Sequence, residues 1–274
     1  MAITAAEVNK LRKMTGAGMM DCKKALVEAE GDFEQAVDLL RKKGQKIAAK
    51  RADRDATEGC VIAATSADNA FGAIVSLNCE TDFVAKNDGY VEMAKQFAAV
   101  AVDNKPENLE ALLALPFGDG MTVSEKLTEQ TGVIGEKIEI AYYERLEGAY
   151  IANYIHAGNK LATLVALTGA QAEAGRDIAM QAAAMNPVAL NKDSVEASVI
   201  ERELEVAREQ VRAEGKPEEM IDRIAQGKLG KFFKENTLVE QAFIKDNKQS
   251  VAAYLNSVEK GLEVTGFRRV GLGV

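Results

Sequence analysis

From Gly59 onward the chain writes one pattern twice, and a repeat of that kind leaves few architectures open. GCVIAAT and AIVSLN are β-rich runs separated by the turn-forming SADNAFG, and a helical stripe of Tyr90, Val91, Ala94, Phe97 and Ala101 follows. The same order returns as GAYIANYI, a turn at HAGNK, LATLVALT, and a helix through Ile178, Met180 and Ala184. Gly59 to Ala63 aligns with Gly148 to Ala152 at an offset of 89, and MAKQFAA from Met93 aligns with IAMQAAA from Ile178 at an offset of 85. Each copy therefore predicts a β-hairpin followed by a helix, an α+β unit. The shrinking offset assigns four extra residues to the first copy, within NCETDFVAKNDGY. An unequal loop on a repeated scaffold is a common place for function.

Ahead of the repeat, the pattern predicts three short helices. Thr4 with Glu7 makes a capping box, and Val8, Leu11 and Met14 follow on one face until Gly16 and Gly18 break it. A second helix aligns Met19, Cys22, Leu26 and Ala29 and stops at Gly31. Asp32 with Gln35 opens a third, with Phe33, Ala36, Val37 and Leu40 as its stripe and Gly44 as its end. Between Arg41 and Arg54 seven of fourteen residues are basic, which predicts a solvated linker helix. Beyond the second copy, Ile200, Leu204, Ala207 and Val211 recur at coiled-coil spacing. Gly215 and Pro217 mark a turn, and Met220, Ile221 and Ile224 return the apolar face, so a helical hairpin is expected over about residues 191–226. KFFKENTLVEQAF, a helix at SVAAYLNSVEKG and a strand at LEVTGFRRV complete the second unit. The expected division is 1–54, a three-helix module and linker; 55–140, the first α+β subdomain; and 141–274, the second with its hairpin.

Several kinds of chemistry are excluded. The 34 basic and 42 acidic side chains leave a net charge of -8, which opposes phosphate backbones and acidic lipid. The basic run lacks the aromatic interleaving of a nucleic-acid stripe. The only histidine is His156, so no two-imidazole metal site can form. Cys22, Cys60 and Cys79 are odd in number and widely spaced, which fits a reducing compartment. No apolar run reaches the roughly 18 residues of a membrane helix, and MAITAAEVNKLRK has no signal-peptide core, so a cytoplasmic location is expected. Gly227-Lys228 is followed by Leu229 rather than Ser or Thr, Gly16 and Gly18 lack a third glycine, and no nucleophile elbow occurs. No catalytic residue, metal or cofactor is predicted.

What stands out instead is local. Phe83 lies between Asp82 and Val84 in the extra loop, among Glu80, Lys86, Asn87 and Asp88. Two readings are open: a satellite core residue tucked under the loop, or an aromatic anchor presented to a partner. Met19 and Met20 are adjacent at a helix start and cannot share a face, which predicts one packed and one exposed.

TGAGMMDCKKAL with LRK before it and GD after it, NCETDFVAKN, IAMQAAAMNP, and KFFKENTLVEQAFIKD followed by VTGFRR together resemble the elongation factor Ts family, the guanine-nucleotide exchange factors for elongation factor Tu. The match runs in order from Val8 to about Arg269. The resemblance implies a ubiquitin-associated-like opening module, a two-subdomain core and a coiled-coil excursion. It implies that Thr81, Asp82, Phe83 and Val84 intrude near the partner's magnesium site, with Asp82 and Phe83 as principal contacts. It carries Arg12, Met19 and Met20 over as contacts to the partner's nucleotide domain, and His156 as a contact to another of its domains. The implied partner is elongation factor Tu, GDP-bound and nucleotide-free, with no nucleic acid, membrane or cofactor; a homodimer and a 2:2 complex both remain open. The competing reading is an adaptor that scaffolds protein partners through its first fifty residues without catalysing exchange.

Overall fold

The computed structural model describes residues 3–118 and 120–273; Met1, Ala2 and Val274, at the ends of the expected first and last segments, lie outside the described residues, as does Asp119. The chain opens with α1 (Ala5–Thr15), α2 (Met19–Glu28) and α3 (Phe33–Arg51). Next come β1 (Glu58–Thr65), β2 (Phe71–Cys79), the four-residue α4 (Asp82–Ala85), α5 (Asp88–Asn104), α6 (Leu109–Ala114), α7 (Val123–Ile134) and β3 (Glu139–Glu147). The second half runs through β4 (Tyr150–Ile155), β5 (Leu161–Leu167), α8 (Ala172–Met185), α9 (Ala197–Ala213) and α10 (Glu218–Asn236). It finishes with β6 (Ala242–Phe243), β7 (Asp246–Ser250), α11 (Val251–Val258) and β8 (Val264–Gly271). Helix and strand are mixed along the chain, an α+β fold.

The strands form two antiparallel three-stranded sheets, β1-β2-β3 and β4-β5-β8, and a small β6–β7 hairpin. Val61, Ala63 and Ile74 of the first sheet meet Ile151, Leu164 and Ala166 of the second in a shared core. On the far side of each sheet lies a helix: Phe97, Ala94 and Ala101 of α5 pack with Phe71 and Val75, and Ile178 and Ala182 of α8 pack with Val165 and Leu167. The result is a helix, sheet, sheet, helix stack. Covered on both faces, the inner strands read as continuous apolar runs, and all nine residues of β2 are buried. Because β3 pairs with β2, the first sheet extends to Glu147, and the division expected between 140 and 141 falls inside a strand.

The two copies lock together reciprocally. The Ile151 amide donates to the Asn69 carbonyl in the turn of the first hairpin, and the Val61 amide donates to the Asn159 carbonyl in the turn of the second, each at 2.6 Å. Both asparagines adopt the left-handed conformation these turns require, φ 55° and 56°. Val61 thus corresponds to Ile151 and Asn69 to Asn159, an offset of 90, correcting the sequence alignment by one residue. A one-residue slip exchanges the faces of a strand. At an offset of 89, Ile62, which packs on the helical side, would be matched to Ile151, which faces the other sheet. The first copy accordingly carries five additional residues ahead of its helix rather than four.

The opening helices share one core of Val8, Leu11, Cys22, Ala25, Leu26 and Ala36, and the Thr4–Glu7 capping box is present. Two expectations fail. Met14 and Met19, both assigned to buried stripes, are exposed, as is Met20, because the inward face of α2 is Cys22, Ala25 and Leu26. Gly44 does not end α3, which continues to Arg51. Gly44 is buried where α3 crosses α7, and a Cβ at Gly132 would sit 2.4 Å from the Gly44 Cα, so both glycines serve close backbone approach. The basic run is otherwise solvated as expected: only Gly44 is buried, Ile47, Ala48 and Arg51 are partly covered, and Arg41, Lys42, Lys43, Lys46, Lys50 and Arg54 are exposed. The helical hairpin also outruns its expected end at 226, since KFFKEN belongs to α10. Its buried residues are Ala207, Val211, Ile221, Ala225 and Leu229, with Arg208–Asp222 and Lys228–Glu214 ion pairs across the two helices.

Candidate functional site

At the end of β2 the chain turns through Glu80 and Thr81 into α4, whose four residues divide by the helical period. Val84 and Ala85 face inward against the first core, and Ala85 is buried. Asp82 and Phe83 face away. Phe83 is 85% exposed, the largest exposure among the large apolar side chains of the described residues. Phe83 is therefore not tucked under its loop as a satellite core residue; its ring stands in solvent.

The turn is braced from outside. Thr81 is the N-cap of α4, but its own side chain caps nothing. Its hydroxyl donates to Glu136 Oε1 at 2.7 Å, and its amide and that of Glu80 donate to Glu136 Oε2 at 3.0 and 3.1 Å. Glu80 in return accepts the Lys137 amide at 2.7 Å and Arg51 Nη1 at 2.7 and 2.9 Å, which ties the last residue of α3 to the turn. The Lys137 amide, with help from Arg51, holds the Glu80 carboxyl below its ordinary range. The Cys79 thiol donates to the Thr81 carbonyl at 3.2 Å.

Charges continue from this turn to the second hairpin. Asp82 pairs with Lys86 at 2.6 Å, one helical turn along, and this hydrogen bond lowers the Asp82 pKa, with Lys160 adding attraction. Lys160 itself binds Glu58 at the start of β1, at 3.0 Å. The reciprocal docking of the hairpins causes this: the turn holding Asn159 sits on β1, whose neighbour β2 leads into α4. His156, exposed in that same turn, lies with its Nδ1 3.0 Å from the Tyr154 hydroxyl. The structure therefore brings Asp82, Phe83 and the His156 turn to one end of the stack.

Arg12, Met19 and Met20 are exposed on the opening helices, with Met14 and Val27 adding to the apolar surface there. They do not touch α4. The connection is α7: Gly16 lies against Val133, while Gln130 and Ile134 border the groove beside Phe83. Reasoning from sequence missed the bracing roles of Glu136, Glu80 and Arg51, because bonds between segments 29 to 57 residues apart leave no periodic trace.

Chemically the site offers contact surface. Among the described residues no group of His, Cys, Asp and Glu gathers at metal-binding spacing. All three cysteines are buried, and burial pushes the Cys60 thiol up to about 12, far from a reactive thiolate. What α4 provides is an apolar ring on a braced turn beside an ion pair, which suits insertion between elements of another protein.

A family model described as Elongation factor TS matches residues 80–274. The chain is similar to the Elongation factor Ts of Christiangramia forsetii, 61% identical with 99% of each chain covered. It is 57% identical to that of Flavobacterium psychrophilum, again over 99% of each, and 56% identical to that of Amoebophilus asiaticus over the whole of both. No helix of the described residues is long and apolar enough to cross a membrane. With the matched region beginning at the braced turn and the likeness running the length of its relatives, this chain belongs to the elongation factor Ts family.

Proposed function

We propose that the chain releases GDP from elongation factor Tu by inserting Phe83 into the partner beside its magnesium and phosphate site, with Asp82 as the adjoining contact. Members of this family act in translation elongation as exchange factors for elongation factor Tu. The observation that carries the residue assignment is the 85% exposure of Phe83 on a turn held by three bonds to Glu136. An exposed aromatic on a rigid mount loses little entropy when it enters a pocket, so most of its contact energy remains available to distort the partner.

Exchange follows by linkage. A factor that binds nucleotide-free partner more tightly than loaded partner weakens nucleotide binding by the same ratio. Each tenfold requires about 1.4 kcal/mol of differential contact. Phe83 supplies apolar contact that only a displaced partner can accept, and displacement of a magnesium ligand raises the cost of retaining the phosphates. No covalent bond changes. In this reading α1 to α3 form a ubiquitin-associated-like module whose Arg12, Met19 and Met20 grip the nucleotide domain. Thr81 and Val84 hold the inserting turn, and His156 touches a further domain. The two hairpin-and-helix units are the repeated subdomains, and α9 with α10 is the coiled-coil excursion.

The test is release of fluorescent GDP from loaded elongation factor Tu, followed in the presence of this protein and excess unlabelled nucleotide. Acceleration that saturates with protein concentration is expected. Complex formation without acceleration would leave only a scaffolding role and overturn the proposal.

A further inference from the structure

We infer that Glu136 is a positioning residue for exchange: its carboxylate holds the turn before α4 so that Phe83 stays presented instead of folding onto its own protein. The inference rests on the reading of Phe83 given above. Phe83 borders a groove lined by Val84, Tyr90, Met93, Gln130 and Ile134. Burying an exposed aromatic ring against such a surface is favourable, so a free turn of this composition would collapse into it. The four-residue α4 cannot resist on its own, since one helical turn is unstable in isolation.

The resistance comes from the segment after α7. Gly135, in the left-handed conformation at φ 82°, ends α7 and aims the next residue back at the turn. Glu136 then takes three donors at once, two amides and a hydroxyl, while Glu80 takes the Lys137 amide in the opposite direction. Two segments that bond side chain to backbone reciprocally fix both position and orientation. Bonds to an ionised carboxylate are also the stronger kind. A glutamine at 136 loses that charge: its oxygen can still accept the two amides and its NH2 can donate to the Thr81 hydroxyl, but only as weaker neutral bonds and in that one orientation.

The chain contains no tryptophan, so a Phe83→Trp variant carries a single reporter at the position in question. In an otherwise unchanged background its emission should be that of an exposed indole and iodide should quench it freely. Adding Glu136→Gln should shift the emission to the blue and protect it. Separately, with Phe83 intact, Glu136→Gln should lower the saturating rate of GDP release by about tenfold, with little change in the half-saturating concentration. In the Phe83→Ala background Glu136→Gln should add almost nothing, since a residue acting through another shows non-additive effects. Unchanged indole exposure, or losses in exchange that add independently, would overturn the inference. If Phe83→Ala itself leaves exchange intact, the underlying assignment of Phe83 fails while the indole measurement still decides whether Glu136 holds the ring out. Should Glu136→Gln melt below the assay temperature, Thr81→Val, which removes only the hydroxyl bond, carries the same three measurements.

Discussion

Two glycines in a single helix crossing should respond in opposite directions to the same substitution. Both lie in helix interiors, where replacing Gly by Ala contributes about 0.8 to 1 kcal/mol through backbone entropy. At Gly44 the added methyl would meet the Thr128 carbonyl at 3.5 Å and the Gly132 Cα at 3.7 Å, ordinary contact, so Gly44→Ala should stabilise by about 0.5 to 1 kcal/mol. At Gly132 the methyl would lie 2.4 Å from the Gly44 Cα, 3.4 Å from its nitrogen and 3.5 Å from its carbonyl carbon. All of that is backbone and none can rotate away. Carbon atoms rest at about 3.5 to 4.0 Å, so α3 would have to retreat by more than an ångström. Overpacking of this kind costs about 1 to 3 kcal/mol and outweighs the helical gain, leaving Gly132→Ala destabilised by about 1 to 2 kcal/mol. Urea unfolding of the full chain, with hydrogen exchange on residues 41–51 to localise the effect, reads both variants. Protection in α3 should rise for Gly44→Ala and fall for Gly132→Ala. Equal stability of the two variants would refute the crossing as described. Since α7 leads directly to Glu136, the Gly132 variant should also lose part of its exchange activity.

Phe83→Ala should leave the melting temperature unchanged and slow saturated GDP release about 10- to 100-fold, the equivalent of 1.4 to 2.8 kcal/mol of lost differential contact, with a smaller loss for Asp82→Ala. Lowered melting with normal exchange would return Phe83 to a merely structural role. Glu80 has its pKa depressed below the ordinary 4.5, so its stabilising contribution is complete above about pH 4.5 and lost as pH falls through the lower folded value. Glu80→Gln should therefore be less stable than the parent at pH 7 and converge on it as the pH is lowered below 4.5; a gap that stays constant through acid titration would show the charge to be irrelevant. With Cys22, Cys60 and Cys79 buried and the Cys60 thiol at about 12, a thiol reagent at pH 8 should find no reactive group in the folded protein and three after denaturation. A thiol that reacts within seconds in the folded state would contradict the packing around it.

The sequence alone determined what depends on neighbours along the chain. Helix caps such as Thr4 with Glu7 act within one turn, and hairpins and helices announce themselves by period, so the repeat, the helical pair and the unequal loop were all legible. The motifs shared with the family pointed to Phe83 for the same reason, being contiguous stretches. Only the tertiary structure decided which way things faced. Gly44 reads identically as a helix end or as a place for close approach, and its meaning depends on Gly132, which lies 88 residues away. The repeat offset of 90 was set by Asn69 and Asn159 bonding to strands of the opposite copy, a choice that composition, similar on both faces of a doubly covered sheet, does not record. Met19 read as part of a buried stripe and Phe83 as open between two readings, and both proved exposed because Cys22 with Leu26, and Val84 with Ala85, took the inward positions. Side chains one residue apart differ by about 100° around a helix, so packing against a distant element selects which of them the solvent sees.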